Sequence, residues 1–307
     1  MSSKLKNDSL LRRIWKGRLA YLLLAPLIIG LLITSYYPPI SGLYRSFFDW
    51  DVINEPVFVG MDNFVELFSD EVFLNSIPTM FQIAIPRLLI SIFVPLIIAE
   101  LIFAVKSKKM QYAYRVMVLL PIVAPGLVYT LLWQKIYDPQ FGLLTTLLQG
   151  MNIVPDGTVI NWLGNKDLVI FSLIFKGFPW LGGTAVLIYM SGLMNISTEV
   201  IESSVLDGCS TLRRIWHIDL PLLIGQIKYF LVFGLIGCIQ DYNDQLILTN
   251  GGPGYTTYVP SYYMYIKAFT AGRMGYASAV GFVMFIAIFL LTIFIMRKKK
   301  GDDGYGA

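Results

Sequence analysis

Six stretches of about twenty predominantly apolar residues recur along this 307-residue chain. A run of that length is what a helix needs to cross a hydrocarbon layer about 30 Å thick. The runs are Leu19–Ile40, Thr79–Val105, Ala113–Ile136, Leu168–Gly192, Leu222–Tyr242 and Tyr276–Met296. Charged residues make up only 14% of the chain, against about 25% in soluble domains. The expected fold class is therefore all-α: a polytopic membrane protein with about six transmembrane helices. Pro86, Pro95, Pro121, Pro125 and Pro179 fall inside or near the ends of these runs. Neighbouring helices can re-satisfy the backbone groups they free. A signal peptide also begins with a basic segment. Here, however, the first apolar run continues into Ser35-Tyr36-Tyr37-Pro38-Pro39 with no small-x-small cleavage site, so it reads as an uncleaved span.

Lys and Arg set the expected orientation. Placing the N-terminus in the cytosol puts sixteen of them on the cytosolic side: six before span one, four at 106–115, Arg213 and Arg214, and four at 297–300. Five fall outside: Arg45, Lys135, Lys166, Lys267 and Arg273. Both termini are expected in the cytosol, in a prokaryotic plasma membrane. The expected organisation is a basic segment 1–18, a transmembrane domain 19–296 and a tail 297–307. The outer segment 41–78 holds seven acids and one Arg. One His and two Cys without a CxxC pair argue against a multi-His metal centre, a His-based triad or a disulfide framework. The absence of GxxxxGK[ST] means that the chain does not bind ATP through that loop.

One polar interruption stands out, ESSVLDGCSTLRRIWHIDLPLL at 202–223. Helix through Leu206, a left-handed stop at Asp207-Gly208, a cap at Ser210 or Thr211 and a second short helix are the expected elements. Leu212, Ile215 and Trp216 share one side of that second helix, with Arg213, Arg214 and His217 turned elsewhere. Leu220-Pro221 then opens the next span, since Pro is well placed in a first helical turn. The result is a knob with an apolar and a basic face. It suits either docking into a protein groove or lying among lipid headgroups.

The spacing resembles the coupling signature of ABC importer permeases: Glu202-Ser203-Ser204 in place of EAA, then Gly208, then Ile218-x-Leu220-Pro221, with ten positions from Gly to Ile. Ser-Ser for Ala-Ala keeps the residues small. FVGMDNFVELFSD (58–70), WQKIYDPQFGLL (133–144), KGFPW (176–180) and LTNGGPG (248–254) resemble permeases of the maltose-porter-like carbohydrate class. The likeness covers nearly the whole chain. It implies a type I ABC importer permease fold with a cytosolic coupling helix at about 199–221. It also implies a second permease chain in a heterodimer, two ATPase subunits beneath, an extracytoplasmic solute-binding protein, and surrounding membrane lipid. ATP and Mg would reside on the ATPases, with no cofactor, nucleic acid or catalytic residue on this chain. Glu202, Ser203, Ser204, Asp207, Gly208, Leu212, Trp216, Ile218, Leu220 and Pro221 become the expected coupling residues.

Ionisable groups at membrane depth are functional candidates. Lys176, beside Gly177 and Pro179, reads either as a solute contact or as a cation satisfied by carbonyls that the proline frees. Trp180 could stack on a sugar ring or simply pack. Gln240, Asp241, Tyr242, Asn243, Asp244 and Gln245 end span five. They suit a cavity wall, since hydroxyls need paired donors and acceptors, or an ordinary solvated helix end. The expected solute set is Lys176, Gly177, Trp180, Gln240, Tyr242, Asn243 and Asp244. Gly251, Gly252 and Pro253 could meet the binding protein or form only a tight turn. Arg87 and Glu100, thirteen residues apart, are not helical neighbours, and each should pair elsewhere or reach an interface, with a solute contact as the alternative. The expected function is the permease subunit of an oligosaccharide importer. A glycerol phosphate ester is the alternative solute, which would favour cations in the cavity. A self-contained secondary transporter would leave the coupling segment unexplained, and a membrane enzyme lacks clustered acids or HExxH.

Overall fold

A computed structural model describes residue 15 and residues 17–297. The expected basic segment and tail therefore fall almost wholly outside the described residues. The chain divides into two compact units, Met1–Leu67 with Lys267–Val283 and Phe68–Ile266 with Met284–Ala307. The permease domain expected over 19–296 takes in both.

In the first unit, helix Arg18–Leu31 runs through a π turn, Leu32–Tyr36, into Tyr37–Arg45. Span one is thus longer than expected, and Pro38-Pro39, inside the continuing helix Tyr37–Arg45, does not end it. Two short antiparallel strands follow, with Phe48 opposite Phe58 and Asp49 opposite Val57. The structure gives the FVGMDNF stretch a physical basis. Gly60 has φ +60°, the buried Asn63 amide donates to the carbonyls of Ser46 and Phe48 at 2.9 Å each, and Phe64 packs against Phe47 and Phe282. Arg273 grips Glu66 through two bonds of 2.5 and 2.6 Å.

The second unit is organised by the 33-residue helix Glu71–Phe103, about 50 Å long. Asp70 caps it by accepting from the N–H groups of Val72 and Phe73 at 2.9 and 3.1 Å. Pro78, Pro86 and Pro95 lie inside without breaking it. Helices Gly183–Met194 and Ile224–Gln240 pack along it. Leu96, Ala99, Val186, Tyr189, Leu193 and Leu223 form the buried apolar cluster between them. Gly183 permits a close approach, since a Cβ there would stand 2.2 Å from the carbonyl oxygen of Val118.

Among the described residues, three helices are long and apolar enough to cross a membrane, Arg18–Arg45, Glu71–Phe103 and Met274–Arg297, and three bent pairs bring the total to as many as six. Two expected spans are interrupted. Span three bends by 89° between Lys108–Val123 and Gly126–Ile136, where Pro121 and Pro125 remove backbone donors and restrict the residues before them. Span four is two helices, Lys166–Phe175 and Gly183–Met194. The residues between them include left-handed Gly177 (φ +97°), Trp180 (φ +50°) and Gly182 (φ +53°). In the DPQFGLL turn, Asp138 accepts from the N–H groups of Phe141 and Gln140 at 2.9 and 3.0 Å. These bonds, Phe141's first, hold its carboxyl below the ordinary value of 3.8.

Candidate functional site

The break in span four opens a cavity of about 770 Å³, within the range of small-molecule sites. Its walls are mainly apolar, with Tyr129, Phe178 and Trp180 among the aromatic residues and Arg87 and Lys176 bringing charge. Local geometry fixes Trp180: its backbone N–H donates to the Gly177 carbonyl at 2.6 Å and its indole N–H to the Lys176 carbonyl at 3.1 Å. Phe178 stands edge-on to it, with ring centres 5.1 Å apart.

Behind the lining sits a buried ion-pair network. The Asp244 carboxylate, 3% exposed, accepts from the Arg87 guanidinium on one oxygen and from the Lys176 ammonium on the other. Arg87 also donates to the Leu173 carbonyl at 2.6 and 3.2 Å, and lies 3.5 Å from Asp241. Lys176 donates to the Thr130 hydroxyl at 2.9 Å. These contacts join four separate helical segments at one point.

Of the expected solute residues, Lys176, Gly177 and Trp180 line the cavity, and Asp244 stands directly behind its cations. Gln240, Tyr242 and Asn243 do not line it. Gln240 is exposed, Tyr242 stacks on Tyr265 at 5.2 Å, and the Asn243 amide donates to Asp241 at 2.8 Å. The sequence reading left Arg87 out of the solute set. Its charge inside an apolar run was the available signal, and its pairing elsewhere was expected, but a carboxylate 157 residues away is not legible from local spacing. In the LTNGGPG turn, Gly251 is buried, and a Cβ there would strike the Tyr258 ring at 2.1 Å. Gly252 accepts from the Thr257 hydroxyl at 3.0 Å, and Pro253 follows it through a cis peptide bond.

The knob forms as a helix, a turn and a short helix. Helix Thr198–Leu206 is capped by Ser197 and ends at Asp207. Gly208 has φ +71° and no neighbour within 4 Å of a built Cβ. Ser210 caps Thr211–Arg214, a π turn Ile215–Asp219 follows, and Leu220–Leu222 leads to the next span through Leu223. Leu212 and Trp216 are 71% and 68% exposed, and Leu206, which the sequence reading did not single out, is 88% exposed. Glu202, Ser203, Asp207 and Pro221 are exposed too, while Ser204 is buried. Ile218 and Leu220 face inward onto the apolar cluster. Arg214 departs from the expected basic face. It turns inward to bond the fully buried Asp219 at 3.0 Å and lies over the Phe103 ring. Glu100 faces this pair. Among the described residues, neither Glu100 carboxylate oxygen nor the second Asp219 oxygen has a hydrogen-bond partner.

Comparison with known proteins places this geometry. A probable ABC transporter permease protein, YurN of Bacillus subtilis (strain 168), is 32% identical over 281 residues, covering 91% of this chain and 95% of that protein. A probable starch degradation products transport system permease protein, AmyD of Thermoanaerobacterium thermosulfurigenes, is 28% identical over 289 residues, covering 91% and 94%. Among solved structures, a bacterial alginate ABC transporter in complex with alginate pentasaccharide-bound periplasmic protein aligns at TM-score 0.84 and 23% identity, over 98% of this chain and 100% of that one, and so shares the fold. Residues 91–298 match the family described as the inner membrane component of binding-protein-dependent transport systems, and the chain belongs to that family.

Proposed function

We propose that the chain is the permease subunit of an ATP-driven, binding-protein-dependent importer for an oligosaccharide. The observation that carries this is the knob. Leu206, Leu212 and Trp216 project an apolar surface, while the base of the knob is fixed by Asp219, Ile218 and Leu220 in the span core. A short helix seated in a partner's groove and rooted in this way converts domain closure in that partner into helix movement. Two ATPase subunits are the proposed partners there, carrying ATP and Mg, and a second permease would complete the path. The Lys and Arg bias supports both termini in the cytosol, with the outer turns facing a solute-binding protein.

The cavity supports a carbohydrate solute. It combines aromatic faces at Trp180, Phe178 and Tyr129 with amphipathic donors at Lys176 and Arg87. The starch-product name of one relative and the alginate title of the structural neighbour point the same way. A phosphate ester would need cations free to meet it, and both cations here are held by Asp244.

The test is a mild-detergent pull-down of the tagged chain from its native host, with mass identification of what comes with it. A Walker-motif ATPase and a second six-span protein are expected, and the binding protein would narrow the solute. A chain that purifies alone and still moves solute when reconstituted would overturn the proposal.

A further inference from the structure

The charges around the cavity cancel. Its lining contains two basic side chains, Arg87 and Lys176, and no carboxylate. Directly behind them stand two carboxylates, Asp244 on both cations and Asp241 at 3.5 Å from Arg87. Asp244 has 3% side-chain exposure, so water does little to screen it, and breaking such a pair leaves a buried charge without compensation. An anion approaching Lys176 or Arg87 would have to compete with a carboxylate already seated on both.

The cations nevertheless keep hydrogen-bonding capacity. An ammonium has three donors, and the structure commits Lys176 to Asp244 and Thr130. A guanidinium has five, of which Arg87 directs its short contacts to Leu173 and Asp244. What faces the cavity is therefore a pair of donors suited to hydroxyl oxygens, in a cluster whose two cations and two carboxylates balance. The fold does not impose this, since a transporter of the acidic polysaccharide alginate shares it.

We propose that Asp244, assisted by Asp241, sets the charge selectivity of the solute path, so that the cavity accepts uncharged oligosaccharides and rejects uronate- or phosphate-bearing ones. Asp244 is thus a positioning residue that acts through Arg87 and Lys176. The proposal rests on the carbohydrate reading above and adds the charge class of the solute.

The experiment uses the complete transporter, co-purified from its host and held in lipid nanodiscs. It is incubated with a mixture of malto-, arabino- and chito-oligosaccharides of two to six units, together with galacturonate and alginate oligomers of the same lengths. Retained glycans are quantified by mass spectrometry. Wild type should retain an uncharged series and exclude the uronates. Asp244→Asn, which unmasks one positive charge, should raise the ratio of uronate to uncharged glycan by on the order of tenfold or more. Asp244→Asn combined with Lys176→Met restores the balance and should return the ratio toward wild type. Asp241→Asn leaves both Asp244 pairs intact, so it assembles even if Asp244→Asn does not, and should shift the ratio in the same direction by less. Wild-type preference for uronates would overturn the proposal while leaving the carbohydrate reading in place. So would ratios that none of these variants move. Retention of neither glycan class, with import of some other solute, would remove the carbohydrate reading itself and this proposal with it.

Discussion

Replacing Gly208 separates two reasons for a glycine at the tip of the knob. Its φ of +71° is one, and the space a partner would occupy is the other, since beyond its two chain neighbours no atom of the described residues lies within 4 Å of a built Cβ. With no clash inside the chain, the intrinsic penalty is that of a left-handed backbone alone. For a side chain with a Cβ that is about 1–2 kcal/mol, with β-branched Val at or above the upper end. About 2 kcal/mol shifts the turn away from its native conformer by about thirtyfold. It remains small beside the roughly 5–15 kcal/mol that holds a folded chain together. Gly208→Val should therefore insert and fold while the knob loses its shape.

The assay is solute uptake and ATP hydrolysis by the complete transporter in proteoliposomes, with assembly followed by co-purification. Gly208→Val should assemble and hydrolyse ATP with uptake uncoupled from it. Gly208→Asn is the informative companion, because Asn tolerates the left-handed region several-fold better than most residues yet adds bulk. Restored coupling in Asn identifies backbone conformation as the requirement. Failure of Asn alongside Val identifies a partner surface packed against the bare Cα. Coupled transport retained in Gly208→Val would refute the reasoning, since neither the turn nor the space would then matter.

Three further outcomes follow from the same geometry. Arg214→Met leaves Asp219, with no exposed surface, beside Glu100 without a cation and should lose about 3–5 kcal/mol of stability, read as a lower melting temperature in detergent; adding Asp219→Leu should recover most of the loss, and no recovery would exclude the pair as the cause. Gly183→Ala should destabilise because its methyl would meet the Val118 carbonyl, whereas Gly237→Ala, with nothing within 4 Å, should gain about 0.5–1 kcal/mol from reduced backbone freedom; equal melting shifts would contradict the packing described. Asp138 has a depressed folded pKa, so its contribution to the DPQFGLL turn is fully present above its unfolded value, about 3.9, and fades as pH falls through the folded one. Amide exchange at Phe141, corrected for intrinsic rate, should lose protection below about pH 4, whereas Asp138→Ala should be unprotected throughout.

How far the sequence foretells this arrangement depends on the range of the interaction that decides each part. The Glu71–Phe103 helix follows from its apolar run only from Thr79 on, its first eight residues lying in the stretch read as an outer segment, and the knob follows from neighbours in sequence, with Ser210 capping, Gly208 turning and Leu220-Pro221 restarting. The breaks at 121–125 and 176–182 left visible signs in Pro and Gly, but hydropathy alone draws a continuous span through both. Regular helical spacing sets Arg214 on the basic face, turned away from Leu212, Ile215 and Trp216. The π turn Ile215–Asp219 instead brings Arg214 onto Asp219. The Arg87–Lys176–Asp244 network joins residues separated by 68 to 157 positions, and no periodicity encodes that.

Helix Ile224–Gln240 lies between the two regions of interest. At one end Leu223 is fully buried among Ile218, Leu220 and the apolar cluster, and Asp219 anchors the knob through Arg214. Further along, Phe230 and Gly234 line the cavity, and the helix ends at Asp241, close to Arg87. Its 17 residues span about 25 Å. A tilt imposed at the knob would therefore move the cavity wall and draw Asp241 and Asp244 relative to Arg87 and Lys176. The buried pairs favour discrete arrangements over gradual drift, since a half-separated buried pair is costlier than either seated state. A rigid rod with a packed root at one end and ion pairs at the other is suited to switching between two states, as the proposed coupling of ATP hydrolysis to solute movement requires.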